Sequence, residues 1–358
     1  MSEHLELYKK YRATKWKRLI GQQRLAKSFV SALKNDAVPT AYALFGPRGC
    51  GKTSSAKILA KSLNCDNNKD DNGNIVEADP CDQCDVCLNI DTNSQMGVQY
   101  ISMANAGSVE DVRKIAHNAR LGAPVRRQVW ILDEAHNMSK QAWDALLIPL
   151  ESPDMKALFI FCSTEEEKIP KTILSRVQSR HFTLVDAETL FQYLSKIAQV
   201  EGMDLSENQI REAVRRSRGS VRDALSALEA IGSSGDDDFR VSYSEQILEA
   251  IANSKFHEAL TLSAEANNEG TNFRVLTEQL FSDMRDMVIL AAGGDQKLVG
   301  VSSLSDPAAT AKQFGYANIV RCLGELGTAM SNITFGADAR LHFEIALTKM
   351  FMLTRKTS

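Results

Sequence analysis

An eight-residue segment early in the chain has the composition and spacing of a phosphate-binding loop. Gly46–Thr53 reads G-P-R-G-C-G-K-T and matches the G-x-x-x-x-G-K-[ST] pattern at each defined position. An apolar run precedes it and a helical pattern follows it, as this motif requires. Such glycines let backbone N–H groups surround a triphosphate at a helix N-terminus, where partial positive charge favours an anion. The alternative, a glycine-rich turn without a ligand, is disfavoured by this context.

The residue types at the end of the segment indicate a nucleotide and a metal ion. Lys52 is expected to reach the β and γ phosphates of the triphosphate, and the Thr53 hydroxyl is expected to bind Mg²⁺. The residues of this segment predicted to bind the nucleotide are Gly46, Pro47, Arg48, Gly49, Cys50, Gly51, Lys52, Thr53 and Ser54.

Two adjacent carboxylates end another apolar run. Val129–Leu132 predicts a buried strand, and Asp133 and Glu134 follow it directly. Because the carboxyl ends of parallel strands meet at one edge of a sheet, both acids are expected beside the loop. Asp133 would complete the Mg²⁺ environment, and Glu134 would orient and deprotonate the attacking water. The alternative is a solvated acidic turn; His136 is interpreted as structural.

Four of the seven cysteines form a spaced cluster, C-x15-C-x2-C-x2-C. Four thiolates can close a tetrahedral zinc site of the structural type. The loop between the first two cysteines is polar and acidic, so a metal would supply the folding energy that packing cannot. Free surface thiols, or redox chemistry by the last C-x2-C pair, are the alternatives. The predicted zinc ligands are Cys65, Cys81, Cys84 and Cys87. The other cysteines, predicted to be small core residues or loop fillers, are Cys50, Cys162 and Cys322.

The elements that must position these residues alternate between strands and helices in the first half of the chain. This order predicts βαβ units around a parallel sheet, an α/β fold class. Ser108 followed by Asp111 predicts a capped helix start, and Pro149 is expected to kink or end its helix near Ile148. The predicted strands are Tyr42–Phe45, Val98–Ser102, Val129–Leu132 and Leu158–Cys162. The predicted helices between them are Ser54–Leu63, Val109–Ala119 and Lys140–Leu147.

Helical spacing alone continues after about Phe182, which predicts an all-helical second half. A segment rich in Gly, Ser and Asp, Gly232–Asp238, predicts a flexible, charged linker. The predicted helices are Leu190–Ala198, Ile247–Ala266, Phe273–Ala292, Pro307–Ser331 and Ala337–Leu353.

The composition of the 358-residue chain excludes several classes of protein. The length predicts two or three domains, and 44% hydrophobic with 24% charged residues argues against a disordered or fibrous chain. A net charge of -3 gives no global attraction to nucleic acid, so any binding needs a local basic surface. No apolar run approaches a membrane span, and Met1–Lys10 lacks a signal-peptide core, so a cytoplasmic location is expected.

Together these features resemble the bacterial-type DNA polymerase III gamma/tau family, the AAA+ ATPase subunits of sliding-clamp loaders. The resemblance covers essentially the whole chain and adds further motifs to the two described above. They are Tyr11-Arg12, Leu19–Gln22, the four-cysteine insert, Ser163-Thr164, Lys168–Arg176 and Gly219–Leu225.

The resemblance implies roles for individual residues. Thr164 corresponds to sensor 1, which detects the γ-phosphate, and Arg222 to sensor 2, which reaches the nucleotide of its own subunit. Arg176 corresponds to the arginine finger that enters the neighbouring subunit's ATP site. The residues that would lie against the adenine are Tyr11, Arg12, Ile20 and Gly21. The alternative interpretation of Arg176 and Arg222 is that each is a solvated charge or a charge near a helix terminus.

The resemblance also implies three domains and a set of partners. They are an AAA+ domain at 1–183 with a zinc module at about 65–87, a helical lid at 184–235 and a helical oligomerisation collar at 241–358. The expected partners are other clamp-loader subunits in a pentameric ring, the sliding clamp and primer-template DNA. Helices facing the central chamber would hold DNA phosphates, and Ser108, Arg113 and Lys114 occupy a comparable segment.

The expected activity is ATP hydrolysis at the β–γ phosphoanhydride, coupled to opening the clamp and loading it onto primed DNA. The alternatives are a non-hydrolysing architectural subunit of the same complex, or another AAA+ DNA-metabolism ATPase of the Holliday-junction or recombination type. The chain ends soon after Leu353, so the extension of the family's longer form is expected to be absent. The expected location is the bacterial cytoplasm, or the host cytoplasm for a viral protein.

Overall fold

The computed structural model describes residues 6–94, 97–123, 125–233, 243–294, 307–334 and 338–354. The chain forms two compact units, which are described separately below. The first comprises Met1–Tyr193 and Ser217–Glu229, and the second comprises Leu194–Arg216 and Ala230–Ser358. Most of the predicted linker Gly232–Asp238 lies outside the described residues, and the predicted three-domain division stays a prediction.

A five-stranded sheet forms the centre of the first unit. The strands are β1 Ala41–Phe45, β2 Val98–Ser102, β3 Val129–Asp133, β4 Leu158–Ser163 and β5 Gln178–His181. All of the paired strands are parallel, and their spatial order is β2-β3-β4-β1-β5. The four predicted strands are confirmed, and β5 was not predicted because its residues are polar and lack alternation.

The described residues up to 233 contain eleven α-helices. They are α1 Leu7–Lys10, α2 Gln23–Lys34, α3 Lys52–Asn64, α4 Asp85–Asp91, α5 Met103–Ala106, α6 Val109–Leu121, α7 Lys140–Glu151, α8 Lys171–Leu174, α9 Ala187–Glu201, α10 Glu207–Ser217 and α11 Val221–Ser233. Short 3₁₀ turns occur at Trp16–Arg18, Asp66–Asn68 and Ala135–Asn137.

The sheet is covered by helices on both faces, because alternate strand residues belong to two separate apolar clusters. Tyr42 and Leu44 of β1 pack with α2 and α3, whereas Ala43 and Phe45 pack with α6 and α7. Strands buried on both faces read as continuous apolar runs, which is why β1, β3 and β4 could be predicted. This layered arrangement is the α/β fold expected from the sequence.

Two local predictions concern the ends of α6 and α7. The capped start of α6 is confirmed, since the Asp111 N–H donates to the Ser108 hydroxyl at 3.2 Å. Pro149 was expected to kink or end α7 near Ile148, and the second of these alternatives is wrong, because the helix continues to Glu151. Pro149 lies in the last turn, where its missing N–H removes a single helical bond. The Ser152 N–H then completes the turn by donating to the Ile148 carbonyl at 3.1 Å.

The second unit has an all-helical core from residue 243 onward within the described ranges. Two long predicted helices are each divided in the structure. Ile247–Ala266 is broken near Ser254 (φ 59°), and Pro307–Ser331 is broken at Gly315 (φ 76°). The helices of the described ranges from residue 243 onward are α12 Tyr243–Ala252, α13 Phe256–Asn268, α14 Phe273–Ala291, α15 Pro307–Phe314, α16 Tyr316–Thr334 and α17 Ala339–Thr354. Among the described residues, none of the helices combines the length and apolar character that a membrane crossing needs.

Candidate functional site

The loop between β1 and α3 depends on glycine at its first and last turns. Gly46 has a φ of 141°, and a Cβ there would lie 2.3 Å from the Phe182 carbonyl oxygen. Gly51 has a φ of 102° and begins α3 without any side-chain acceptor for the helix's first N–H groups. Those N–H groups can therefore meet an external anion, which the helix dipole also favours.

The Lys52 ammonium group is buried against the loop's own backbone. Its Nζ donates to the Gly46 carbonyl at 2.6 Å and to the Pro47 carbonyl at 2.7 Å. Its third contact within the described ranges is the Cys50 sulfur at 3.9 Å, and none of the three partners is a carboxylate. A buried cation that lacks a carboxylate is costly. A phosphate group at this position would supply the missing negative charge.

Asp133 lies directly beside the helix that follows the loop, as the parallel sheet predicts. The Thr53 hydroxyl donates to Asp133 Oδ2 at 2.9 Å, and the Glu134 N–H donates to Oδ1 at 3.0 Å. A second hydroxyl, that of Tyr100, also donates to Oδ2 at 2.8 Å. A threonine hydroxyl beside a carboxylate offers the hard oxygen ligands that Mg²⁺ prefers, so these residues fit the ion.

The sequence interpretation did not identify Tyr100. It lies on β2, and β2 pairs with β3 so that Ser102 is opposite Asp133. Burial, and then the hydrogen bond to Asp133, raise the pKa of Tyr100, so the phenol is protonated at neutral pH. Its sequence position, near the end of the predicted strand Val98–Ser102, does not by itself link it to Asp133.

Glu134 has a left-handed backbone conformation (φ 56°) and an exposed side chain. Its Oε2 lies 3.4 Å from His136 Nε2, and Glu165 Oε1 lies at the same distance from that nitrogen. His136 Nδ1 is 3.1 Å from the Ser163 hydroxyl. His136 was interpreted as structural, and its contact with Glu134 was not foreseen.

A cavity of about 550 Å³ in the first unit brings most of the predicted residues together. The predicted residues that line it are Tyr11, Arg12, Ile20, Arg48, Gly49, Cys50, Gly51, Lys52, Thr53, Ser54, Asp133, Glu134, Thr164 and Arg222. Those outside its lining are Gly21, Gly46, Pro47 and Arg176. Gly46 and Pro47 nevertheless hold Lys52 through their carbonyl groups.

The cavity carries an excess of positive charge. Six lysine or arginine side chains line it, against the carboxylates of Asp133 and Glu134. The basic residues are Lys9, Arg12, Arg18, Arg48, Lys52 and Arg222. This balance is unusual in a chain with a net charge of -3, and it favours a polyanionic ligand such as a triphosphate.

Aromatic and aliphatic side chains form another part of the lining. Leu19, Ile20 and Tyr11 contribute apolar surface, which suits the flat face of a base. Tyr8, which sequence reasoning missed, also lines the cavity, and the Arg222 guanidinium lies 4.8 Å from its ring centroid. This cation–π contact holds Arg222 at the cavity wall.

Thr164 and Arg176 occupy different positions relative to the cavity. Thr164 follows β4, which lies between β1 and β3, so it is exposed between the loop and the acidic pair. Arg176 is paired with Glu151 instead, and its Nη1 donates to the Thr172 carbonyl at 2.6 Å. The structure therefore places Thr164 at this chain's own cavity and Arg176 outside its lining.

The four clustered cysteines are brought together at the end of α3. Their sulfur atoms all lie within 4.8 Å of one another, and all four are free thiols. A tetrahedral zinc–thiolate site with Zn–S bonds of about 2.3 Å needs sulfur–sulfur separations near ~3.8 Å. The four sulfur ligands therefore fit zinc once the distances between the sulfur atoms shorten slightly.

Backbone N–H groups donate to two sulfurs of the cluster, and the Cys81 N–H lies 3.4 Å from Cys65 Sγ. The Gln83 and Cys84 N–H groups donate to Cys81 Sγ at 3.3 and 3.2 Å. Burial opposes the charged thiolate, but these bonds and the Cys65 thiol together lower the pKa of Cys81 to about 6. Burial raises the pKa of Cys65 and Cys87. Such N–H donors are the outer contacts that thiolate metal ligands need.

A buried lysine fastens the cysteine segment to α3. The Lys61 ammonium lies 2.8 Å from Asp82 Oδ1 and 2.6 Å from Asp91 Oδ2, with 1% of its side chain exposed. Burial alone would lower the pKa of Lys61, but the two hydrogen-bonded carboxylates raise it. The Ser62 hydroxyl adds a bond to the Ala78 carbonyl at 2.6 Å.

Replacing Lys61 by Met is expected to lower the free energy of unfolding by about 3 kcal/mol, because two carboxylates lose their buried partner. The value lies at the low end of the usual range, since 42% of the Asp91 side chain is exposed and keeps some hydration. Urea unfolding of the two proteins measures this difference. Lys27→Met, on the exposed face of α2, is the control; equal losses in both variants would contradict the role of the ion pair.

The fold and the loop define the class of this protein. A strand, a G-x-x-x-x-G-K-T loop and a helix, set in a parallel sheet with helices on both faces, have the architecture of phosphate-loop α/β domains.

Comparison with known proteins shows which proteins this chain is similar to. A family model described as "DNA polymerase III, delta subunit" matches residues 21–186. DNA polymerase III subunit gamma/tau of Mycoplasma genitalium is 33% identical over 295 residues, which cover 78% of this chain and 48% of that protein. DNA polymerase III subunit tau of Bacillus subtilis is 28% identical over 98% of this chain and 64% of that protein. Both relatives are subunits of DNA polymerase III of the gamma/tau kind, and the chain is similar to them over most of its own length.

The shared part does not cover the whole of these relatives. The chain spans about half of the Mycoplasma genitalium protein and less than two thirds of the Bacillus subtilis one, at 48% and 64%. Among solved structures, the Bacillus subtilis DNA clamp loader delta protein (YqeN) covers 91% of this chain and 99% of its own length. Its TM-score is 0.39 and its sequence identity is 13%, a likeness too weak to refine the fold.

Proposed function

We propose that this chain is an AAA+ ATPase motor subunit of the DNA polymerase clamp loader, which opens the sliding clamp and loads it onto primed DNA. Similarity to DNA polymerase III gamma/tau subunits supports the clamp-loader role. The observation that carries the ATPase role is the junction of Thr53 with Asp133 at 2.9 Å, beside the buried ammonium of Lys52. This junction joins the phosphate loop to the acidic strand end in one cavity.

The residues of this cavity account for hydrolysis of the β–γ phosphoanhydride. Lys52 exchanges its carbonyl partners for the β and γ phosphates, while the N-terminus of α3 holds the phosphate oxygens. Bound Mg²⁺ would neutralise charge on the same phosphates, and Thr53 and Asp133 would hold it. Glu134, exposed at the cavity, orients the attacking water and accepts its proton. Thr164 contacts the γ-phosphate from the end of the intervening strand.

Two arginines make hydrolysis depend on conformation and assembly. Arg222 leaves the ring of Tyr8 and contacts the phosphates of the same chain's ATP. Arg176 serves the neighbouring subunit, which agrees with its position outside this chain's own cavity lining. A guanidinium stabilises the charge that develops during phosphoryl transfer, so supplying it in trans couples turnover to ring formation.

The remaining parts of the proposal concern domains and partners. A helical lid at about 184–235 and a helical collar at about 241–358 would complete the subunit, and the collar would hold a hetero-oligomeric, pentameric ring in the bacterial cytoplasm. The exposed Arg113 and Lys114 of α6 would contact DNA phosphates without sequence preference. The Ser108 hydroxyl already caps α6, so a DNA contact there would have to share it.

We propose that the cysteine cluster holds one structural zinc ion through Cys65, Cys81, Cys84 and Cys87. The polar loop that follows Cys65 has few apolar side chains of its own, so the metal would fix it to the end of α3. The closed set of four sulfur ligands supports a structural role for the ion, with no position left for a reacting ligand.

Replacing Cys84 by Ser is expected to abolish tight zinc binding and to lower the melting temperature, because the metal contributes folding energy. Metal analysis of the purified protein should give one zinc per chain in the wild type and in the control variant Cys322→Ser, whose cysteine lies in the second unit. Equal zinc content in the wild type and Cys84→Ser would contradict the site.

The clamp-loader proposal is tested by steady-state ATP hydrolysis, measured with and without primed DNA and the clamp from the same source. Turnover is expected to rise when both are present and to disappear in Lys52→Ala, since that variant loses its phosphate contact. A turnover rate that does not change when DNA and clamp are added would contradict the clamp-loader role. It would still agree with an ATPase of another type.

One observation favours a second candidate, a non-hydrolysing architectural subunit of the same complex. The family model that matches residues 21–186 carries the description "DNA polymerase III, delta subunit". Such a subunit has no need for Lys52, Thr53, Asp133 and Glu134 together, and the cavity contains all four. Tight ATP binding without turnover in any assembly would favour this candidate.

A further inference from the structure

Tyr100 is placed to control the carboxylate that faces the phosphate loop. Its hydroxyl donates to Asp133 Oδ2 at 2.8 Å, the oxygen that also accepts the Thr53 hydroxyl at 2.9 Å. The Glu134 N–H donates to the other oxygen, Oδ1. The three donors come from α3, from β2 and from the residue after β3, and Tyr100 is the one contributed by β2.

The ring of Tyr100 is itself held in place by α3. Thr53 and Lys57 lie four residues apart and therefore share one face of this helix. Thr53 contacts Asp133, while the Lys57 ammonium lies 5.6 Å from the Tyr100 ring centroid. Lys57 Nζ also donates to Asn93 Oδ1 at 2.9 Å, which restricts it further. The orientation of the phenol is thus defined by contacts on both its ring and its hydroxyl.

The three donors are not equivalent once a metal ion is considered. Thr53 is itself one of the proposed Mg²⁺ ligands, so its hydroxyl would have to serve the ion and Asp133 together. The Glu134 N–H holds only the far oxygen, Oδ1. Tyr100 lies on a separate strand and can keep its bond to Oδ2 whatever Thr53 does.

We propose that Tyr100 is a positioning residue for magnesium: its hydroxyl orients the Asp133 carboxylate for Mg²⁺ bound with ATP. The inference rests on the proposed function and adds a residue that acts through Asp133. Hydrogen-bond partners of metal-ligating carboxylates typically contribute ~10- to 100-fold to metal affinity. A tyrosine that merely forms the cavity wall would contribute through its ring alone, so removing the hydroxyl separates the two roles.

The test is a magnesium titration of nucleotide binding by the full chain, followed with a fluorescent ATP analogue, mant-ATP. Tyr100→Phe is expected to raise the half-saturating Mg²⁺ concentration by about tenfold relative to the wild type. Its affinity for mant-ATP in EDTA should equal that of the wild type, because the ring and the phosphate loop are intact. A general loss of folding would weaken mant-ATP binding both with Mg²⁺ and in EDTA, so it would not produce this difference between the two conditions.

Tyr42→Phe provides the matched control. Tyr42 lies on β1 of the same sheet, and its buried hydroxyl has no hydrogen-bond partner within the described part of the chain. This variant should keep the wild-type Mg²⁺ dependence. A Tyr100→Phe titration that coincides with the wild type, or shifts to lower Mg²⁺, overturns the inference while leaving the proposed function intact. Failure of the wild type to bind mant-ATP with Mg²⁺ would contradict both.

Discussion

Replacing Glu134 by Gln is expected to reduce ATP hydrolysis by at least ~100-fold while ATP binding is retained, because a general base contributes ~10²- to 10⁴-fold to such reactions. Glutamine has nearly the shape of glutamate but cannot accept a proton at neutral pH. Single-turnover hydrolysis and equilibrium mant-ATP binding, measured on the same preparation, separate these two effects.

The position of Glu134 explains why this effect should be large. Its left-handed backbone turns the chain directly after β3, so that Asp133 and Glu134 serve different tasks from adjacent positions. Asp133 is held by hydroxyl and N–H donors, whereas the Glu134 side chain is exposed, with His136 Nε2 3.4 Å from its Oε2. The first carboxylate is therefore fixed and the second can meet water.

Glu165→Gln is the matched control for this prediction. Glu165 lies at the same 3.4 Å from His136 as Glu134 does, but it is absent from the cavity lining. Disturbing the histidine alone should therefore leave turnover within a few-fold of the wild type. If both variants lost turnover equally, the histidine contact would be the cause, and the assignment of Glu134 as the base would be wrong.

Replacing Arg176 by Ala is expected to reduce ATP hydrolysis by the assembled complex by about 10³-fold or more, the range for an arginine finger supplied in trans. The affinity of the isolated chain for ATP should not change, because Arg176 is outside the lining of its own cavity. Turnover of the reconstituted assembly and nucleotide binding by the single chain are the two measurements.

The contacts of Arg176 also provide the control. Its guanidinium is paired with Glu151, the last residue of α7, and its Nε lies 2.7 Å from Glu151 Oε1. Glu151→Gln removes the charge of that partner but leaves the arginine in place, so most of the turnover should remain. A loss of ATP affinity in the isolated Arg176→Ala chain would contradict a role in trans.

The correctly predicted elements are those in which the local residue pattern agrees with the long-range packing of the chain. Strands buried on both faces were found from their continuous apolar runs, and the start of α6 from its capping residues. The strand β5 was missed because Gln178–His181 is polar and partly exposed, so only its pairing with β1 defines it. Its existence depends on long-range contacts that periodicity does not record.

The two predicted helices that the structure divides were wrong for the same physical reason. Apolar spacing continued across a left-handed residue at Ser254 and across Gly315, so each pair of helices was read as one. Gly315 could have been recognised as a helix end, whereas Ser254 carries no comparable signal. The effect of Pro149 was overestimated because its position in the final turn was not known.

The candidate site was predictable where a motif specifies both residue type and spacing. The phosphate loop, the acidic pair and the four cysteines are each brought together as expected. Tyr100 and Tyr8 were missed because their roles arise from neighbouring strands and helices, and a single sequence contains no pattern that links them to Asp133 or Arg222.

Clamp loading itself shows whether this chain is the motor subunit of a clamp loader. Labelled clamp, primed circular DNA and the assembled complex are incubated with ATP, and DNA-bound clamp is separated by gel filtration. We expect retention of the clamp on DNA with wild-type chain and ATP, and none with Lys52→Ala or without nucleotide. Retention that is equal with and without ATP, or absent in the fully assembled wild-type reaction, would contradict the account.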